Sequence, residues 1–191
     1  MAVMNPALIL IDIQNDYFPG GAMELDGPEA AAAQAARLLG GFRRRGWPIA
    51  HVQHVSTRPG ATFFLPDTFG VQIHNSVAPQ PGEQVLVKHF PNAFRQTELH
   101  AHLQQVQADH LIFVGMMTHM CIDTSVRAAC DLGYACTLAA DACATRALTF
   151  EGHLVDAVAV QRAYLAALNG TFAKVQTAQA VCDSLRAGNL L

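Results

Sequence analysis

Six short, almost unbroken apolar runs are spaced along this chain: ALILIDI (7–13), PIAHVQHV (48–55), QVLVK (84–88), HLIFVG (110–115), ACTLAA (135–140) and TFAKV (171–175). A strand with apolar residues at both phases of its two-residue period has to be buried on both faces, and a parallel sheet covered by helices on each side provides that burial. Helical patterns do lie between the runs. Pro28 and Glu29 open one that continues to about Arg45, with Leu38, Leu39 and Phe42 on its apolar side, and Thr97 is placed to cap another through Leu103. Further helices are expected after Cys121 and after Thr149, and a last one from about Thr177 to Arg186. The expected fold is therefore α/β: one domain spanning 1–191, a three-layer α/β/α sandwich with a mostly parallel six-stranded sheet, right-handed crossovers and strand order 3-2-1-4-5-6.

Composition narrows the function. With 51% apolar and 14% charged residues and a net charge of -3, the chain carries no basic stripe for phosphates, so nucleic acid is excluded as a partner. The first apolar run is cut by Asp12 and has no positive residues ahead of it, which fits neither a signal peptide nor a membrane span. Five cysteines, at 121, 130, 136, 143 and 182, form no CxxC pair and no secreted framework; a reducing cytoplasm is the expected location.

In an open parallel sheet, ligands bind outside the carboxyl ends of the strands where strand order reverses. With this order the crevice lies between the first and fourth strands. The residues delivered there are Asp12 after the first run, Lys88 at the end of the third, and the segment GMMTHMCIDTSVRAAC (115–130) after the fourth, which holds Cys121. A thiol at a helix start beside a lysine is expected to be held as thiolate. A carboxylate facing it can take its proton and return one to a leaving nitrogen. Residues 56–83, long and rich in Pro and Gly, read as a lid or pocket wall, or as an oligomer contact.

Three ordered stretches, ALILIDIQNDYFPGG, VLVKHFPNAF and VGMMTHMCIDTSVRAA, make the sequence resemble the isochorismatase-like cysteine hydrolase superfamily, which includes nicotinamidases and N-carbamoylsarcosine amidase. The resemblance covers nearly the whole chain. It implies Asp12 as general acid/base, Lys88 as the charge that holds Asp12 and the thiolate, and Cys121 as nucleophile. It also implies a cis peptide between Met116 and Met117, and an oxyanion hole formed by the backbone N–H groups of Met117 and Cys121. The implied reaction is hydrolysis of a C–N bond in a small amide, ureide or carbamoyl compound through a thioester, without a cofactor, by a homo-oligomer (dimer or tetramer).

Other residues are assigned around that centre. Gln14 and Asn15 are placed to orient Asp12; Gln14, Phe18, His119 and Gln161 are candidates for binding substrate, and Phe18, Phe90 and Phe94 for walling the pocket. Nicotinamidases bind a metal through an Asp-x-His pair after the second strand, whereas this chain reads HVQHVST there. His51, His54 and His74 are the nearest alternatives, but His51 and His54 fall on opposite faces of a strand, so no metal is expected. Two other readings compete: an isochorismatase-type vinyl ether hydrolase, which needs no thiol, and a thiol redox or binding protein. For the last, Cys130 lies on the same expected helix as Cys121, about 13 Å along it at 1.5 Å per residue, too far for a disulfide.

Overall fold

The computed structural model describes residues 5–187; residues 1–4 and 188–191 of the expected domain lie outside the described residues. The chain runs β1 (Pro6–Ile11), α1 (Pro28–Arg45), β2 (Ile49–His54), β3 (Gln84–Lys88), α2 (Leu99–Gln105), β4 (His110–Met116), α3 (Asp123–Asp131), β5 (Ala135–Ala144), β6 (Leu148–Phe150), β7 (His153–Val155), α4 (Ala157–Leu168), β8 (Lys174–Gln176) and α5 (Ala178–Ala187). The main sheet has six strands in the order β3-β2-β1-β4-β5-β8, all paired in parallel. That is the expected order. The sixth strand is numbered eight only because a hairpin, β6–β7, intervenes.

The central runs, β1 and β4, are buried on both faces, whereas β3, at the edge of the sheet, leaves Val85 and Val87 exposed because no strand or helix among the described residues covers that face. Along β1, Leu8 and Leu10 pack with Leu38, Leu39 and Phe42 of α1, on the side also covered by α5. Ala7, Ile9 and Ile11 face the other way, against Leu99 and Leu103 of α2, Val126 of α3 and Leu168 of α4. Helix α1 starts where Pro28, whose fixed φ suits a first helical position, follows Gly27, and it closes on Gly46 at φ +64° after three arginines that complement its dipole.

Three local expectations change. Helix α2 begins at Leu99 with Glu98 at the N-cap position, so Thr97 stands one residue further out; its hydroxyl still accepts the Leu99 N–H at 3.3 Å while donating to the Ala93 carbonyl at 2.6 Å. The helix expected soon after Thr149 starts only at Ala157, capped by Asp156, because Glu151 and Gly152 both adopt positive φ and fold the intervening residues into a tight hairpin. The run ACTLAA continues as strand to Ala144.

Register sets the site. Ile11 lies beside Val52 on one side and Gly115 on the other, and His54 lies beside Lys88, so the carboxyl ends of four neighbouring strands open onto one spot. Gly115 has φ +132°, and a Cβ there would collide with the Ile11 carbonyl oxygen. Only glycine lets β4 come this close to the end of β1.

Candidate active site

The segment after β1, DIQNDYFPGG, fastens the long 56–83 stretch in place. Asp16 accepts the Phe64 N–H at 2.6 Å and its own N–H donates to Gly70 O at 2.9 Å; Asn15 donates from its side chain to Phe69 O at 2.9 Å. Gln14, fully buried, donates to Val71 O at 2.6 Å and to His54 O at 2.9 Å, while its Oε1 accepts the His54 N–H at 2.8 Å. Gln14 and Asn15 therefore tie loop to strand and do not orient the Asp12 carboxylate. The tethered stretch becomes a wall: residues of 56–64, together with Tyr17, His54, Phe90, Met117 and Cys121, enclose a cavity of about 340 Å³. Across it, Ser125 of α3 accepts the Ala93 N–H at 2.9 Å and holds the Phe90–Pro91 side.

At the floor the three residues from separate segments meet. Asp12 follows β1 with a left-handed backbone (φ +51°), a conformation that Asp adopts more readily than most residues, and its N–H donates to Val52 O at 2.9 Å. Lys88 Nζ lies 2.7 Å from Asp12 Oδ2 and donates to Cys121 Sγ at 3.2 Å and to His54 Nδ1 at 2.8 Å. Asp12 and Lys88 are both completely buried. The Met116–Met117 peptide is cis, and Cys121 sits in a single π turn, Thr118–Ile122, where the Ile122 N–H reaches back to Met117 O at 3.2 Å before α3 begins. Such turns are frequent at functional sites.

Electrostatics correct one expectation. Burial pushes the Cys121 thiol up from its ordinary value and the Asp12 charge pushes the same way, outweighing Lys88, the opposite direction to the expected lowering. The physical reason is that Cys121 is enclosed in the turn and does not crown an open helix end. Burial also raises Asp12, against the opposing pull of Lys88. For Lys88 burial acts downward, but Asp12 and Cys121 together leave it raised and so an ammonium. One buried cation thus faces two acidic groups. Electrical balance leaves one proton for Asp12 and Cys121 to share.

Other assignments fare differently. Phe18 is core, stacked on His74 at 3.7 Å between ring centroids, and does not line the cavity. His119 turns to the Thr145 hydroxyl at 2.6 Å and packs on Tyr164. Gln161 donates to Cys143 O at 3.1 Å and lines a second cavity, with Asp26 and Asp141. Of the three phenylalanines, only Phe90 walls the pocket; Phe94 packs near Tyr134. None of Gln14, Phe18, His119 and Gln161, expected to bind substrate, lines the cavity that holds Cys121. The cavity is lined instead by Tyr17, His54, Phe63 and Phe64. His54, expected only as an alternative metal ligand, ends β2 beside Lys88 of β3, and its place at a strand's carboxyl end is the sequence signal that puts it at the site.

A metal does not fit. One ligand atom each of Asp12, His54 and Cys121 lies within 4.8 Å of the other two, yet all three face Lys88 Nζ, so a divalent ion between them would be thrust against a buried ammonium. His51 is bound to Glu83 at 2.8 Å and His74 to Ser76, away from this cluster.

The sequence matches the family described as "Isochorismatase domain" over residues 6–180. It is 51% identical over 177 residues to the uncharacterized isochorismatase family protein YddQ of Bacillus subtilis, covering 93% of this chain and 98% of that one. It is 33% identical over 141 residues to streptothricin hydrolase of Streptomyces noursei, 73% of this chain and 49% of that protein. In structure it is similar to an isochorismatase hydrolase of Oleispira antarctica, with a TM-score of 0.91, 48% identity, and coverage of 96% of this chain and 99% of the other.

Proposed function

Since this chain belongs to the isochorismatase family of hydrolases, we propose that it is a cysteine hydrolase that cleaves the C–N bond of a small amide, ureide or carbamoyl compound through a thioester on Cys121. The observation that carries this reading is Lys88 Nζ, 2.7 Å from Asp12 and 3.2 Å from the Cys121 sulfur, at the floor of the cavity. The shared proton dictates the steps. As sulfur attacks the substrate carbonyl carbon, the thiol proton passes to Asp12, whose Oδ1 has no hydrogen-bond partner among the described residues. Lys88 stays charged and balances the anion wherever it resides. The oxygen of the tetrahedral intermediate is taken by the N–H groups of Met117 and Cys121. Asp12 then gives its proton to the departing nitrogen as the C–N bond breaks, which leaves the thioester and a carboxylate. That carboxylate draws a proton from water as it attacks the thioester carbon and returns it to sulfur as the C–S bond breaks, which releases the acid and restores the thiol.

The test is a screen of small amides and ureides for ammonia release, followed on the best substrate by Cys121→Ala and Asp12→Asn. Cys121→Ala should abolish turnover, and quenched wild-type reactions should show the acyl group on Cys121 by mass spectrometry. Asp12→Asn should lose roughly 10²- to 10⁴-fold in kcat, since it removes a proton-transfer group from both half-reactions. Turnover by Cys121→Ala would sink the thioester mechanism and leave the vinyl ether reading, which uses no thiol.

A further inference from the structure

The Lys88 ammonium is ion-paired with Asp12 Oδ2 at 2.7 Å and donates to Cys121 Sγ and His54 Nδ1 at 3.2 and 2.8 Å. An ammonium can only donate, so the His54 nitrogen facing it has to be the unprotonated one. This fixes the tautomer, since a neutral imidazole then carries its proton on Nε2. Protonating both nitrogens is opposed by burial and then by the charges of Lys88, His89 and Arg58, which bring His54 down to about 3. The backbone of His54 is clamped at both polar atoms by Gln14, at 2.8 and 2.9 Å, and its ring packs beside Phe64. Nε2 has no partner among the described residues, and His54 lines the cavity that holds Cys121.

We propose that His54 is a substrate-positioning hydrogen-bond donor: with Nδ1 engaged by Lys88, it presents a fixed Nε2–H to an acceptor on the small molecule bound against Cys121. The proposal rests on that cavity being the substrate site, and it adds a requirement on the substrate. A carbonyl oxygen or comparable acceptor has to lie near the carbon that sulfur attacks. His54 takes no proton in the reaction, because its only free lone pair is turned to Lys88. The buried Gln14 acquires a purpose as well, as the group that holds His54 in register.

The tautomer is tested on the wild-type protein by ¹⁵N NMR with labelled histidine. His54 should be neutral, protonated on Nε2, and should remain so on acidification while ordinary histidines titrate. An Nδ1–H tautomer or an imidazolium at neutral pH overturns the proposal. The donor is tested with iodoacetamide, whose carbonyl adjoins the carbon that a thiol attacks, by following alkylation of Cys121 through peptide mapping. His54→Asn keeps an acceptor where Nδ1 was but loses the distal donor, whereas His54→Gln can place an amide N–H near the old Nε2. His54→Asn should slow Cys121 alkylation by roughly 2- to 10-fold, the worth of one neutral hydrogen bond, and His54→Gln should stay within about twofold of wild type. Equal losses in both variants, or no loss in either, refute the donor role. Neither measurement requires turnover, so a failed hydrolysis screen leaves this result standing. The NMR experiment also remains if a variant does not fold.

Discussion

Replacing Lys88 by methionine keeps the length of the side chain and removes the one cation that balances the buried Asp12. At 2.7 Å, an ion pair in a medium of effective dielectric 20 gains about 6 kcal/mol of gross attraction. That energy is not the penalty, because Asp12 can escape the loss by binding a proton. Holding at pH 7 a proton that the unfolded chain gives up near pH 3.9 costs about 3 units at 1.36 kcal/mol each, roughly 4 kcal/mol. This agrees with the 3–5 kcal/mol typical when one partner of a buried pair is removed. The sign follows. A carboxyl whose pKa is raised in the folded state favours folding most at low pH and progressively less as pH rises. Lys88→Met should therefore lie close to wild type near pH 4 and fall behind it by up to 1.36 kcal/mol per pH unit toward neutrality, to at most about 4 kcal/mol at pH 7. Adding Asp12→Asn removes the titrating group, so the double variant should be more stable than Lys88→Met at pH 7 and show none of its pH dependence. Urea unfolding of the four proteins between pH 4 and 8 measures this directly. A Lys88→Met penalty that is flat with pH, or one that Asp12→Asn fails to relieve, would show that the pair is not the electrostatic unit described above.

Prolonged treatment with a chelator should leave the hydrolysis rate on any identified substrate unchanged, because Lys88 occupies the centre that Asp12, His54 and Cys121 surround; activity lost and then restored by zinc or iron would contradict this. Gly115→Ala should destabilise the protein by roughly 3 kcal/mol or more in denaturant titrations, since it combines a positive φ with a collision against the Ile11 carbonyl; a loss under about 1 kcal/mol would mean that β4 shifts freely. Glu83 is held down to about 2, chiefly by its hydrogen bond from Arg43, against an ordinary value of 4.5. Its contribution is complete above pH 4.5 and is lost as pH falls toward 2; Arg43 is one-quarter exposed, so screening limits the contribution to about 1–2 kcal/mol, and Glu83→Gln should flatten the acid limb of stability by that amount.

The sequence by itself determined the sheet and three members of the site. Runs apolar at both phases can be buried only inside a covered parallel sheet, and the crevice rule then sends whatever follows the first, third and fourth strands to the same end. Asp12, Lys88 and Cys121 were legible for that reason. Tertiary structure decided what depends on distance and burial. Helix pattern showed a thiol before a helix, but not the π turn that encloses it, and that burial pushes the thiol up where a lowering was expected. Gln161, on α4, is held by the Ala140 and Cys143 carbonyls of β5 and so faces a different cavity, a contact that only the packing of helix on sheet shows. His54 differs from His51 by three residues and hence by face, which the sequence showed. Only the parallel register of β2 against β3 set it beside Lys88, at the point where the ammonium selects which of its nitrogens carries the proton.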